Sequence, residues 1–181
     1  MQITKLPPIS GLKVLQPDIF NDTRGYFFES YNFETFKNLG IPDVFVQDNQ
    51  SYSKKNVIRG LHFQVPPFAQ AKLVRVMKGA ALDVAVDLRK ESATYGQHFS
   101  VLLNEENNLQ FYIPVGFAHG FAALEEDTVF AYKCSNIYHK DSERSILFND
   151  KILNINWNIE NPIVTDKDWQ AISFNDFISP F

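Results

Sequence analysis

Asn56-Val57-Ile58-Arg59-Gly60-Leu61-His62-Phe63-Gln64 and, after a proline-rich loop, Lys72-Leu73-Val74-Arg75-Val76-Met77-Lys78-Gly79 decide the fold. Both are short runs of β-branched, aromatic and long side chains closed by Gly or Pro, which is the pattern of strands. Working outward, similar runs recur at Leu12–Leu15, Gly25–Tyr31, Asp43–Gln50, Ala80–Leu88, His98–Leu103, Leu109–Ile113, Gly120–Leu124 and Thr128–Asn136. Short strands at this spacing predict an all-β sandwich or barrel, with one domain spanning residues 1–181. A short helix is expected between Asn32, its N-cap, and Gly40, just past its end. A second is expected from Thr165, and Ile152–Ile159 fits a short strand and an irregular tail equally well.

Strand alternation assigns faces. In Ala80–Leu88, the apolar Leu82, Val84, Val86 and Leu88 point one way. Ala81, Asp83, Ala85 and Asp87 point the other, which predicts a roomy, wet face. Arg59 and His62 have opposite parity, but Gly60 lies between them. A glycine within a strand can mark a bulge that resets the alternation, so both side chains can face one cavity. Tyr132 shares a face with Phe130 and Thr128.

The formal net charge of −4 argues against a polymeric nucleic-acid partner. Cys134 is the only cysteine, which excludes an intrachain disulfide. The opening Met1–Pro8 has no secretory character, and no apolar run is long enough to span a bilayer. A cytoplasmic protein without a membrane partner is the expectation.

Pro114-Val115-Gly116-Phe117-Ala118-His119 matches the P-x-G-x-x-H portion of the second cupin motif. The run from His62 resembles a damaged first motif. A metal-binding cupin carries a second His where Gln64 stands and a Glu where Lys72 stands. An ammonium in place of an anionic ligand puts like charge beside a cation, so a cupin-like barrel is expected with no metal and no other cofactor. His62, His119, Lys72 and Arg59 remain: a base among cations. That set suits proton abstraction beside a carbonyl, where negative charge develops on oxygen.

From about Leu12 to Asp168 the chain resembles the dTDP-4-dehydrorhamnose 3,5-epimerases. The resemblance rests on Asp22-Thr23-Arg24-Gly25-Tyr26-Phe27-Phe28-Glu29, Val46-Gln47-Asp48-Asn49, Arg59–Gln64, Asp83–Arg89, Pro114–Gly120, and Tyr132 with Tyr138. It implies a cupin-like jelly roll, a double-stranded β-helix with short peripheral helices. It also implies a metal-free isomerase that inverts carbons 3 and 5 of dTDP-4-keto-6-deoxyglucose for dTDP-L-rhamnose biosynthesis. His62 would be the base, Asp168 its carboxylate partner, Lys72 the enolate stabiliser and Tyr132 the acid. Arg24 and Arg59 would meet the diphosphate, and Glu29, Gln47 and Asn49 the nucleotide. Tyr138 would stack on thymine, Asp83 and His119 would line the sugar pocket, and Glu143 and Lys167 would complete the site. The family's homodimers exchange N-terminal strands, so Arg24 and Glu29 would act across the interface; the Leu12–Leu15 strand is a candidate for that exchange.

Blander roles compete on the residues alone. Thr165-Asp166-Lys167-Asp168 is close to a capping box, which would make Asp168 a helix cap. Tyr132 could be a packing aromatic, and Glu143-Arg144 a surface ion pair worth little. A carbon-3 epimerase, a keto-isomerase, a metal-dependent oxygenase and a non-catalytic sugar-binding protein also remain open.

Overall fold

Alternating apolar side chains, punctuated by Gly, Asn and Pro, build thirteen strands in the computed structural model, which describes every residue, Met1–Phe181. In chain order they are β1 (Gln2–Lys5), β2 (Lys13–Gln16), β3 (Phe20–Asp22), β4 (Gly25–Phe27), β5 (Gln47–Ser53), β6 (Ile58–Gln64) and β7 (Lys72–Lys78). Next come β8 (Ala80–Asp87), β9 (His98–Asn104), β10 (Gln110–Ile113), β11 (Phe117–Ala123), β12 (Thr128–Cys134) and β13 (Glu143–Ser145). Two antiparallel sheets result, one ordered β1-β2-β10-β7-β12-β5 and the other β13-β6-β11-β8-β9. The hairpin β3–β4 stands apart from both. The expected all-β, cupin-like architecture is present. Helix α1 (Phe33–Asn38) starts at Asn32, whose side-chain oxygen accepts from the Glu34 and Thr35 amides, and it buries Phe36.

The interior between the sheets is packed by Val14, Val74, Val76, Phe99, Phe111, Phe117, Phe121 and Phe130. The outer face of the second sheet is buried too. Ile58, Leu61, Leu82, Val84 and Val86 pack there against Phe148, Leu153 and Trp157 from the C-terminal segment. This corrects the wet face expected on β8, where all eight residues are buried. Ala81 and Ala85 are small because aromatic rings fill the space opposite them. Asp83 and Asp87 carry their own polar partners inward: Asp83 meets His119, and Asp87 accepts from Arg89, Ser92 and Thr94.

Several boundaries also move. The strand expected at Gly25–Tyr31 stops at Phe27, and the one at Asp43–Gln50 becomes Gln47–Ser53. Ile152–Ile159 holds no strand, because turns cross it and its apolar side chains cap the sheet. The Leu12–Leu15 segment pairs with β1 and β10 of its own chain. No helix is long and apolar enough to cross a membrane.

Candidate active site

A bulge in β6 organises the site. His62 lies opposite His119 of β11, and Arg59 lies opposite Phe121, so two residues of β6, Gly60 and Leu61, face Gly120 alone. Gly60 has φ +137°, and a Cβ on it would lie 2.5 Å from the Gly120 Cα. A Cβ on Gly120 would lie 2.8 Å from the Arg59 carbonyl oxygen. Only a glycine pair permits this approach. The bulge turns Arg59 and His62 into one cavity, as the sequence pattern suggested.

That cavity, of about 290 Å³, is lined by Ser51, Arg59, His62, Lys72, His119, Phe121, Tyr132, Thr165, Lys167 and Asp168. A second cavity of about 300 Å³ adjoins it and brings together Gln47, Asn49, Gln64, Tyr138 and Glu143. His62, Lys72 and Tyr132 line both, so the three groups suited to proton transfer stand at the junction.

Asp168 reaches His62 from the last helix, α2 (Asp166–Trp169). Thr165 is that helix's N-cap, and its hydroxyl accepts from the Asp168 amide at 3.3 Å. The Thr165 backbone amide makes no capping-box bond to the Asp168 carboxylate. One oxygen lies 2.6 Å from His62 Nε2, and the other lies 3.5 Å from the Gly60 amide. Thr165 therefore caps the helix, while Asp168 is free to serve the histidine. Burial alone would raise the Asp168 carboxyl. The hydrogen bond and charge of His62, helped by the Gly60 and Thr165 bonds, outweigh burial and hold it below the usual carboxylate range. An ionised Asp168 can only accept, so the contact favours the tautomer that carries its hydrogen on Nε2.

Lys72 opens β7 and makes no ion pair; its ammonium is 5.8 Å from the Tyr132 ring centroid. Burial pulls its pKa down, against Cys134, Asp83 and Glu143, which favour the charge. Burial pushes the Tyr132 phenol up, so it keeps its proton at neutral pH. His119 donates from Nε2 to Asp83 Oδ2 at 2.9 Å, and burial lowers its pKa, which favours the neutral ring. Asp83 Oδ1 is buried and has no partner. Arg59 is anchored through Nε to Ser53 Oγ at 3.1 Å and through Nη2 to the Tyr52 carbonyl at 3.0 Å. Glu143 pairs with Lys167 at 2.6 Å and accepts from the Tyr138 hydroxyl at 3.1 Å. It does not pair with Arg144, whose guanidinium turns to the Asp141 and Glu143 carbonyls.

Two expected site residues do not join the others within one chain. Arg24 is 88% exposed on the free hairpin and pairs with Asp22, and Glu29 accepts from Asn32. Ser51, which lines the cavity, and Gly120, which permits the bulge beside it, were missed. Gly120 directly follows a motif histidine, and Ser51 shares strand parity with Gln47 and Asn49; both signals were in the sequence. The donors do not fit a divalent cation. Gln64 spends its amide on backbone groups, Lys72 brings positive charge, and no three His, Cys, Asp or Glu side chains converge.

The model for the dTDP-4-dehydrorhamnose 3,5-epimerase family matches residues 7–176. The chain is 51% identical to the dTDP-4-dehydrorhamnose 3,5-epimerase of Salmonella typhimurium, over 94% of each chain. It superposes with a TM-score of 0.93 on the crystal structure of the Elizabethkingia anophelis enzyme of that name, at 48% identity and over 97% of each chain. The Legionella pneumophila dTDP-6-deoxy-D-glucose-3,5-epimerase, solved in complex with dTDP-4-keto-L-rhamnose, superposes with a TM-score of 0.91. It is 45% identical, covering 95% of this chain and 92% of that one.

Proposed function

We propose that His62 and Tyr132 carry the two proton transfers in this chain, which belongs to the dTDP-4-dehydrorhamnose 3,5-epimerase family. Its activity is that isomerisation, in dTDP-L-rhamnose biosynthesis, and its ligands are dTDP-sugars. The ketone makes the neighbouring C–H bonds acidic. His62 Nδ1 takes one proton, and the C–H electron pair moves into an enolate. The resulting oxygen charge is met by Lys72, whose ammonium is favoured more strongly as that charge grows, so the interaction strengthens toward the transition state. Tyr132 then delivers its proton to the opposite side of the carbon, which inverts the centre. The tyrosinate recovers a proton from solvent, and the imidazolium releases one. The cycle repeats at the second carbon.

Arg59 is read as a diphosphate fork, with Gln47, Asn49 and Tyr138 on the nucleoside. His119, held by the buried Asp83, is read with Glu143 and Lys167 as holding the sugar end. Phe20, Tyr26 and Phe27 are exposed on the free hairpin, at 65%, 59% and 70%. Aromatics left this bare fit a homodimer in which the hairpin carries Arg24 and Glu29 to the partner's cleft.

The observation that carries the reading is the 2.6 Å His62–Asp168 pair at a junction shared with a protonated tyrosine. The test is Tyr132→Phe in deuterated solvent. Wash-in of deuterium beside the ketone should persist while inverted product fails to form. Full double inversion at the wild-type rate would assign the acid elsewhere.

A further inference from the structure

Gln64 stands where a metal-binding cupin would place its second histidine, yet it is only 4% exposed and both its amide hydrogens and its oxygen are engaged by backbone groups. Its Oε1 accepts from the His139 amide at 2.7 Å. Its Nε2 donates to the Ile137 carbonyl at 3.1 Å and to the Phe68 carbonyl at 2.6 Å. Both donor hydrogens are used. The two segments it joins are the proline-rich loop and the turn after β12. Other contacts close the same seam: Gln70 donates to the Asn136 carbonyl at 2.7 Å, and the Phe68 and His139 rings stack at 3.9 Å between centroids.

Between the Ile137 carbonyl and the His139 amide, both held by Gln64, lies a single residue, Tyr138. Its amide donates to Gln47 Oε1 at 2.8 Å and its hydroxyl to Glu143 at 3.1 Å, while the residue stays 54% exposed. Glu143 is itself the cross-strand neighbour of Gln64. An exposed ring on an unclamped turn would lose conformational freedom each time it stacked on a base. A ring whose flanking peptides are fixed beforehand loses far less.

We infer that Gln64 is a positioning residue for nucleotide binding, which pre-sets Tyr138 as the stacking face for the thymine ring. The inference rests on the proposed reading of Tyr138 as the base-stacking residue. A buried amide bonded to three backbone groups does mechanically what a metal ligand at that place cannot, because it ties two loops together instead of holding an ion.

The test measures steady-state kinetics with the dTDP-4-keto-sugar, and dTDP binding by calorimetry. The variants are Gln64→Met, which keeps the chain length and removes every polar bond, Tyr138→Ala, and the double variant. Gln64→Met should raise KM and the dTDP dissociation constant on the order of tenfold, with kcat within about threefold of wild type. Tyr138→Ala should weaken dTDP at least as much. In the Tyr138→Ala background the Gln64 change should add less than about twofold, because the ring it positions is gone. Gln64→Glu preserves the acceptor for His139 and sets an oxygen against two carbonyls, so it should behave like Gln64→Met. A Gln64→Met protein that melts lower but binds dTDP like wild type would overturn the inference and leave the Tyr138 reading intact. So would fully additive losses. A Tyr138→Ala protein with unchanged dTDP affinity would overturn both.

Discussion

Asp168→Asn isolates the carboxylate behind the base, because it keeps the size and shape of the side chain and changes its charge. The Thr165 hydroxyl bonds the backbone amide of Asp168, so the helix cap survives the substitution. His62 still finds an oxygen within reach, so the ring keeps a partner. What disappears is the attraction between an ionised carboxylate and the imidazolium that forms as His62 takes its proton. Charge centres about 4 Å apart attract by about 4 kcal/mol at an effective dielectric of 20. The Asp168 side chain is 3% exposed, but that of His62 is 30% exposed, which weakens the attraction. A partly transferred proton develops only part of the charge, leaving roughly 2–3 kcal/mol in the transition state. That corresponds to a loss in kcat of about 30- to 200-fold. The assay is turnover of dTDP-4-keto-6-deoxyglucose, with deuterium wash-in as a separate measure of proton removal. Both should fall together, and dTDP affinity should hold, since no nucleotide contact has been touched. A kcat within threefold of wild type would show that the 2.6 Å pair only holds the ring in place.

Mixing two inactive variants tests the shared site. If the partner subunit's Arg24 completes each cleft, hybrid dimers of Arg24→Ala and His62→Asn chains contain one site with both lesions and one with neither. Partial activity should therefore return on mixing, and no recovery would confine each site to a single chain. Acid stability tests the Asp87 cluster. Burial would raise this carboxyl, but bonds from Arg89, Ser92 and Thr94 outweigh it and hold it at about 2, below the ordinary aspartate value of 3.8. The folded pKa is depressed, so the stabilisation is complete above about pH 4 and is lost as pH falls toward 2. Asp87→Asn should lower stability at pH 7 by about 1–2 kcal/mol, after allowance for screening of the partly exposed Arg89. The gap in melting temperature between the two proteins should close below pH 4, and a constant gap would exclude the linkage.

The site was legible in the sequence where chemistry and strand geometry coincide. Gly60 breaks an otherwise regular alternation between Arg59 and His62, and the bulge is found there. Lys72 replaces an anionic ligand, and it lies in the cavity beside both histidines. Asp168 was ambiguous because T-x-x-D encodes a helix start whichever way the carboxylate turns; only the three-dimensional path brings it to His62. Strands β1, β3 and β13 were missed. Each is three or four residues long, has no fully buried residue, and is defined by its partner more than by its own side chains. The dryness of the Ala81–Asp87 face of β8 was illegible for a different reason: the aromatic rings that fill the space opposite it, Phe99, Phe111 and Phe130 among them, come from other strands, and Asp83 and Asp87 find their polar partners only in the folded chain. Gln64 could have been flagged, since an amide placed among Leu61 and Phe63 needs partners wherever it is buried.

The irregular C-terminal segment does more than cover apolar surface. It runs along the edge of β6, where the Ile58 amide donates to the Ile163 carbonyl at 3.0 Å and the Ile163 amide to the Asn56 carbonyl at 2.8 Å. Two residues past Ile163 comes the Thr165 cap, and one short turn later comes Asp168. The apolar contacts of Phe148, Leu153 and Trp157 and these two backbone bonds therefore set the approach of the carboxylate to the base. The two halves of the dyad lie 106 residues apart in the chain, so their meeting depends on the docking of the whole segment. An unpaired carboxylate buried this deeply would be costly, and an unpaired His62 would lose its fixed tautomer. Each group makes the other's burial tolerable. The same contact that orients His62 thus favours closing the chain's end against the sheet.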